Sequence, residues 1–257
     1  MATAAPGPRR LPLAIPAAIA GAWVLAGAAQ LSGAAPAFHH DVLLEGRLPG
    51  WAALALFVVA WQAMVAAMML PSTLPLLRLF ARAASGQPRP RVALAAFVGG
   101  YALVWTGFGY VAFVGDILLH GLVDRHPWLA ERSWLLAGGV LVAAGAFQFT
   151  SLKERCLRVC RHPGAFLLRF YERGADGAFR LGRRHGMFCL GCCWALMLVG
   201  FAAGVANLWW MAALTALMVY EKTGAGGRRA VPVAGIVLIG WGVLVLVQPA
   251  WPWVGLS

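Results

Sequence analysis

Six long apolar runs, separated by polar segments, limit what this chain can fold into more than any other feature. Each run approaches the length that a helix needs to cross the ~30 Å hydrocarbon core of a bilayer. A backbone in lipid must satisfy its own hydrogen bonds, which favours helices. The sequence therefore predicts an all-α polytopic transmembrane helix bundle, one membrane domain over 1–257, with spans at about 11–31, 51–75, 92–118, 134–152, 187–204, 207–221 and 231–249. The fifth and sixth spans divide one unbroken run, with its turn expected at Gly204 and Asn207.

Lysine and arginine are distributed unevenly between the segments that join these runs. With the amino terminus inside, the cytoplasmic side holds 18 of the 21: two before the first span, four after the second, nine in 153–184 and three after the sixth. This bias follows the positive-inside rule and predicts a cytoplasmic amino terminus and an outer carboxyl terminus. It also explains the net charge of +12 without a nucleic-acid partner. The charged fraction of 12% is about half that of a soluble domain, so the predicted surroundings are a lipid bilayer.

Two segments leave alternatives open. Segment 153–185 mixes arginines with aromatic and aliphatic residues, so it is either a basic amphipathic stretch along the cytoplasmic lipid surface or a simple connecting loop. The first apolar run follows Arg9 and Arg10 and precedes a small-residue segment at 35–37, which resembles a cleavable secretory signal. Its length favours a first helix that is retained.

The five cysteines form two groups with helical spacing. Cys189, Cys192 and Cys193 stand at i, i+3 and i+4 and therefore share one helix face. Cys156 and Cys160 are one turn apart, and a proline shortly afterwards is expected to end their helix. All five fall on the predicted cytoplasmic side, where thiols stay reduced, so structural disulfides are not expected.

Other candidate ligands lie at a similar predicted depth. Met64 and Met68 share a face near the inner end of the second span, where two prolines are expected to kink the helix. Thioether and thiolate sulfurs suit copper(I), and thiolates with histidine also suit zinc. Glu221 and Lys222 are plausible partners of such a site, because charges near the membrane are costly unless paired. The candidate metal ligands are Cys189, Cys192, Cys193, Cys156, Cys160, Met64, Met68, His162 and Glu221. We expect Met64 or Met68 to approach the Cys189–Cys193 face, with Cys156 or Cys160 nearby.

Two other interpretations of these side chains are open. Cysteine and methionine also pack well between helices, so the sulfurs could be core residues only. A second, harder metal site could form from imidazoles and carboxylates on the outer side, although neighbouring histidines there are more often only solvated. Its candidate residues are His39, His40, Asp41, Asp116, His120, Asp124 and His126.

Three segments resemble a family of predicted metal-binding integral membrane proteins, the domain of unknown function 2182. They are AMVAAMMLPSTLP (63–75), FQFTSLKERCLRVCRHP (147–163) and GMFCLGCCWALMLVGFAAGVANLWWMAALTALMVYEK (186–222), of which the last is the most specific. The resemblance implies a multi-pass protein of the bacterial cytoplasmic (inner) membrane whose Cys, Met and Glu-Lys positions form the family core. Where members usually carry Tyr-Gln, this chain has Phe147 and Gln148.

These observations support one leading hypothesis and two others of different classes. The first is binding of a soft metal such as copper(I), or else zinc, at the cytoplasmic ends of the second, fourth, fifth and sixth spans. It would serve transport, delivery or cofactor assembly, with a metal-donor or membrane-complex partner. The second is a metal- or haem-dependent membrane oxidoreductase, supported by polar groups at Asn207, Gln148 and Glu221. The third is a structural subunit of a membrane complex whose sulfurs only pack. Whether the chain is an enzyme is left open.

Overall fold

Helices make up nearly all of the chain that the structure describes. The computed structural model describes residues 12–32, 49–202 and 208–248, and within these ranges it contains eleven α-helices and no β-strand. They are α1 (Ala14–Leu31), α2 (Gly50–Met68), α3 (Leu70–Ala83), α4 (Pro90–Arg125), α5 (Pro127–Ala130), α6 (Ser133–Phe147), α7 (Ser151–Arg161), α8 (Pro163–Phe170), α9 (Gly174–Ala202), α10 (Leu208–Thr223) and α11 (Gly227–Val247). The predicted all-α fold is confirmed. The turn predicted at Gly204 and Asn207 lies outside the described residues.

Three helices, α1, α4 and α11, are long and apolar enough to cross a membrane. Two bent pairs raise that number to five if each is one span: α2 with α3, bent by 71°, and α6 with α7, bent by 64°. The described part of the chain therefore holds three to five candidate spans, as a multi-pass membrane protein requires. Seven spans, and the direction in which they cross, stay predictions.

The bend between α2 and α3 has a cause in the sequence. Pro71 stands in the first turn of α3, where it lacks an amide N–H for the preceding turn, and Pro75 lies inside the same helix. The predicted kink is confirmed. Beyond it, Ser72 donates a hydrogen bond from Oγ to the carbonyl oxygen of Met69 at 2.8 Å. Ser72 and Thr73 are both buried, so the bend places two hydroxyl groups in the interior.

Glycines allow α4 and α9 to run side by side in close contact. A Cβ added at Gly182 would overlap the carbonyl oxygen of Phe97, and one added at Gly186 would lie 3.4 Å from the carbonyl oxygen of Tyr101. Because residue numbers rise together in these contacts, the two helices point the same way. The contact also brings the Tyr101 side chain to the face of α9.

Aromatic side chains hold α2 against α4. Trp61 donates a hydrogen bond from Nε1 to the carbonyl oxygen of Trp105 at 2.8 Å, and the ring centroids of Phe57 and Phe113 are 4.5 Å apart. Numbers rise along α2 as they fall along α4, so these helices are antiparallel. This register places the carboxyl-terminal part of α2 near the level of Tyr101 on α4, since Gln62 donates to the carbonyl oxygen of Ala102 at 3.2 Å.

Segment 153–185 forms most of α7, all of α8 and the beginning of α9. Thr150 caps α7, since its side chain accepts a hydrogen bond from the Lys153 amide at 3.3 Å. The Tyr171 hydroxyl donates to the carbonyl oxygen of Ala83 at 2.9 Å, which ties the end of α8 to the end of α3. At the surface, the Arg180 guanidinium hydrogen-bonded to Glu172 lowers the pKa of that carboxyl below its usual value. The segment thus packs on the bundle, while its contact with a lipid surface stays a prediction.

Candidate metal centre

Helix α9 carries three cysteines into the interior of the bundle. Their i, i+3, i+4 spacing puts Cys189, Cys192 and Cys193 on one face, and each is at most 1% exposed. Cys192 Sγ lies 3.4 Å from Cys193 Sγ and 3.1 Å from the carbonyl oxygen of Cys189. The cysteines of α9 therefore form a compact group of sulfurs.

Helix α7 brings the remaining two cysteines to this group. Cys160 Sγ lies 3.9 Å from Cys192 Sγ, so thiols from two helices meet. Cys156 packs against Gly191 of α9, where an added Cβ would come within 2.5 Å of Cys156 Sγ. All five cysteines are free, and Cys160 is the only one that is not buried. We call Cys156, Cys160, Cys189, Cys192 and Cys193 the thiol cluster; it reaches from the buried face of α9 to the half-exposed Cys160.

Buried polar side chains adjoin the thiol cluster, among them Ser72, Thr73, Tyr101 and Lys222. Of these four, only Lys222 was singled out from the sequence. Lys222 donates hydrogen bonds from Nζ to Cys189 Sγ at 3.2 Å and to Ser72 Oγ at 3.0 Å. The Tyr101 hydroxyl lies 3.1 Å from the same cysteine sulfur and 3.4 Å from Thr73 Oγ1. The sequence did hold a signal for the others: a polar side chain inside an apolar helix is costly unless it has a partner.

Glu221, a candidate ligand, is engaged by a lysine. Its Oε2 lies 2.7 Å from Lys153 Nζ, and the two side chains are 1% and 0% exposed. Arg161 donates to the carbonyl oxygen of Glu221 and, at 3.1 Å, to that of Gly224, at the end of α10. Glu221 Oε1 has no hydrogen-bond partner among the described residues. The ion pair joins α7 to α10 beside the thiol cluster and gives Glu221 a role that needs no metal.

His185 lies one turn before Cys189 on the same face of α9 and was not predicted. It is 5% exposed, and its ring stacks 5.8 Å from that of Tyr101 and lies 5.6 Å from that of Phe166. Within the described ranges its Nδ1 has no hydrogen-bond partner. The i, i+4 relation to Cys189 was the signal that sequence reasoning could have used.

The other predicted ligands lie in different surroundings. Met64 and Met68 are buried, and the terminal methyl of Met68 would lie 3.9 Å from a Cβ added at Gly200 of α9. Gly200 is about two helical turns beyond Cys193. His162 is exposed and lines a surface depression among arginines. The approach of Met64 or Met68 to the cysteine face stays a prediction.

In the parts of the chain that the structure describes, no three His, Cys, Asp or Glu side chains are arranged to hold a metal ion. The thiol cluster instead offers close pairs of sulfurs, which match the two-coordinate binding that copper(I) accepts. On the predicted outer side, His120 Nδ1 lies 3.5 Å from Asp116 Oδ2. The outer candidates His39, His40 and Asp41 lie outside the described residues.

Comparison with known proteins identifies a family. No curated protein and no solved structure matches the chain. A family model described as PpoB2, copper chaperone, matches residues 58–245, which include the thiol cluster and its polar neighbours. The resemblance to the domain of unknown function 2182 stays a prediction, whereas the expected link to copper is supported and zinc is not. Because the match covers well over half of the chain, the chain belongs to the PpoB2 copper chaperone family.

Proposed function

We propose that this chain is a membrane-embedded copper chaperone that carries copper(I) on the thiol cluster and passes it to a partner protein. The observation that carries the proposal is the meeting of sulfurs from two helices, with Cys192 Sγ 3.9 Å from Cys160 Sγ and 3.4 Å from Cys193 Sγ. Thiolates are soft ligands that favour copper(I). The copper chaperone family gives independent support for that metal.

Unequal exposure within the thiol cluster suits a carrier. Cys160 is half-buried on α7, while Cys189, Cys192 and Cys193 are enclosed on α9. A donor or acceptor can reach Cys160 first, after which exchange of one thiolate at a time moves the ion to Cys192. His162 follows Cys160 by two residues and is exposed, and it is proposed to meet an incoming ion. Copper thus enters and leaves at Cys160 on α7 and is held by the buried cysteines of α9.

Several parts of the proposal rest on the sequence. The positive-inside bias favours the cytoplasmic side of a bacterial inner membrane for the thiol cluster. Cysteines there stay reduced, as copper(I) thiolates require. Met64, Met68 and Cys156 are proposed as further sulfur donors, and a metal donor or membrane complex as the partner. The lipid bilayer surrounds the candidate spans.

Copper(I) titration of the purified protein in detergent, under reducing conditions and against a copper(I) chelator, tests this function. We expect the wild-type chain to bind copper(I) and the double variant Cys192→Ala/Cys193→Ala to lose most of that binding. Met197→Leu is the matched control, because it removes another buried sulfur from α9. Retention of full copper binding by the double variant would refute the assigned site.

A further inference from the structure

Lys222 is a buried cation that has no carboxylate partner in the described part of the chain. It is 5% exposed, and its ammonium group donates to Ser72 Oγ at 3.0 Å and to Cys189 Sγ at 3.2 Å. The neighbouring carboxylate, Glu221, is held by Lys153 at 2.7 Å. An ammonium group only donates hydrogen bonds, and neither hydroxyl nor thiol supplies a fixed negative charge. The positive charge of Lys222 is therefore left for another group to balance.

An unbalanced charge inside a helix bundle is energetically costly, so such residues usually mark a functional site. The groups beside Lys222 that can become negative are thiols and the Tyr101 hydroxyl, which lies 3.1 Å from Cys189 Sγ. Of these, only the thiols are soft ligands for copper(I). Cys189 touches the ammonium group directly and shares one face of α9 with Cys192 and Cys193, and Cys192 Sγ lies 3.9 Å from Cys160 Sγ. The positive charge of Lys222 therefore lies in contact with the thiol cluster.

We infer that Lys222 is the counter-charge for the cargo, a single copper(I) ion held by two thiolates of the cluster. One univalent cation bound by two thiolates makes a complex with one net negative charge, which the ammonium group balances. A divalent ion in the same two-thiolate arrangement makes a neutral complex and leaves the ammonium unbalanced. Lys222 therefore favours a univalent cargo, and this inference rests on the proposed function.

Two soft metals of different charge test this assignment. Mercury(II) takes the same linear two-thiolate geometry as copper(I) but carries one more positive charge. In Lys222→Met and Lys222→Gln we expect the affinity for copper(I) to fall by about 10–100-fold, the range for loss of a group that supports metal ligands. The affinity for mercury(II), measured by competition with a dithiol chelator, should change much less. Arg158→Met is the matched control, since it removes an equal charge from an exposed side chain.

The outcomes separate the counter-charge from a packing role and from the proposed function. An equal loss of both metals in the Lys222 variants would show that the lysine only maintains the fold of the site, and unchanged copper(I) affinity would show that it does nothing for the cargo; either result overturns the inference. If Cys192→Ala/Cys193→Ala binds copper(I) as the wild type does, the proposed function fails first and the inference falls with it.

Discussion

Two buried lysines lie beside the end of α10, and their surroundings differ. Lys153 forms an ion pair with Glu221 at 2.7 Å, which leaves no net charge. Lys222, the next residue after Glu221, donates to Ser72 and Cys189, neither of which carries a fixed negative charge. The first lysine joins α7 to α10 through this ion pair. On the proposed function, copper-bound thiolates balance the second, and the two lysines then serve stability and cargo binding separately.

Breaking the ion pair should have the largest effect on stability. Glu221→Gln leaves Lys153 buried without a carboxylate, and we expect the free energy of unfolding in detergent to fall by about 3–5 kcal/mol. The double variant Lys153→Met/Glu221→Gln removes both charges and should recover most of the loss. If the double variant is as unstable as the single one, the cost does not come from an uncompensated charge.

A substitution at the α4–α9 contact gives a reference value for the loss of unfolding free energy, because it involves neither lysine. A Cβ added at Gly100 would overlap the backbone carbonyl oxygen of Phe179, which cannot move aside alone. Gly100→Ala should therefore lower the free energy of unfolding by about 1–3 kcal/mol. Gly99→Ala is the control, because a Cβ there meets nothing within 4 Å, and it should leave stability unchanged or raise it by up to about 1 kcal/mol through the helix propensity of alanine. Equal effects of the two variants would contradict the close packing described for α4 and α9.

Arg161, like Lys153, joins α7 to the end of α10. Its guanidinium donates to the carbonyl oxygens of Glu221 and Gly224, so Arg161→Ala should cost about 1 kcal/mol of unfolding free energy. Arg158→Ala removes an exposed pair with Glu154 and should cost less than about 0.5 kcal/mol. Chemical unfolding of both variants measures the difference, and a larger loss for Arg158→Ala would contradict this ranking.

The smallest expected effect on stability is that of Lys222 itself. In the copper-free protein, Lys222→Met removes an uncompensated charge along with two hydrogen bonds, so the free energy of unfolding should stay within about 1 kcal/mol of the wild type or rise. Thermal unfolding of the metal-free variant in detergent gives the measurement. A loss as large as that of Glu221→Gln would mean that Lys222 is already balanced without copper, and the contrast between the two lysines would disappear.

Features governed by nearby residues were predictable from the sequence. The bend at Pro71, the shared face of Cys189, Cys192 and Cys193, and the helix end before Pro163 all depend on neighbours within one or two turns. The link to copper also followed, because soft ligands recur at helical spacing.

Features that depend on which helices touch were not predictable. The ion pair between Glu221 and Lys153, 68 positions earlier in the chain, could not be read from the sequence. Tyr101 meets Cys189 from 88 positions away, only because glycines allow α4 and α9 to approach each other. Helical periodicity gives the depth and face of a residue, whereas lateral neighbours depend on how the whole bundle packs.

The copper ligands themselves give the most direct test of the account. X-ray absorption at the copper edge of the copper-loaded protein, prepared under reducing conditions, reports the oxidation state and the neighbouring atoms. We predict copper(I) with sulfur neighbours only, and loss of that signal in Cys192→Ala/Cys193→Ala. A first shell of nitrogen or oxygen atoms, or an unchanged sulfur shell in the double variant, would contradict the claim that the thiol cluster carries copper.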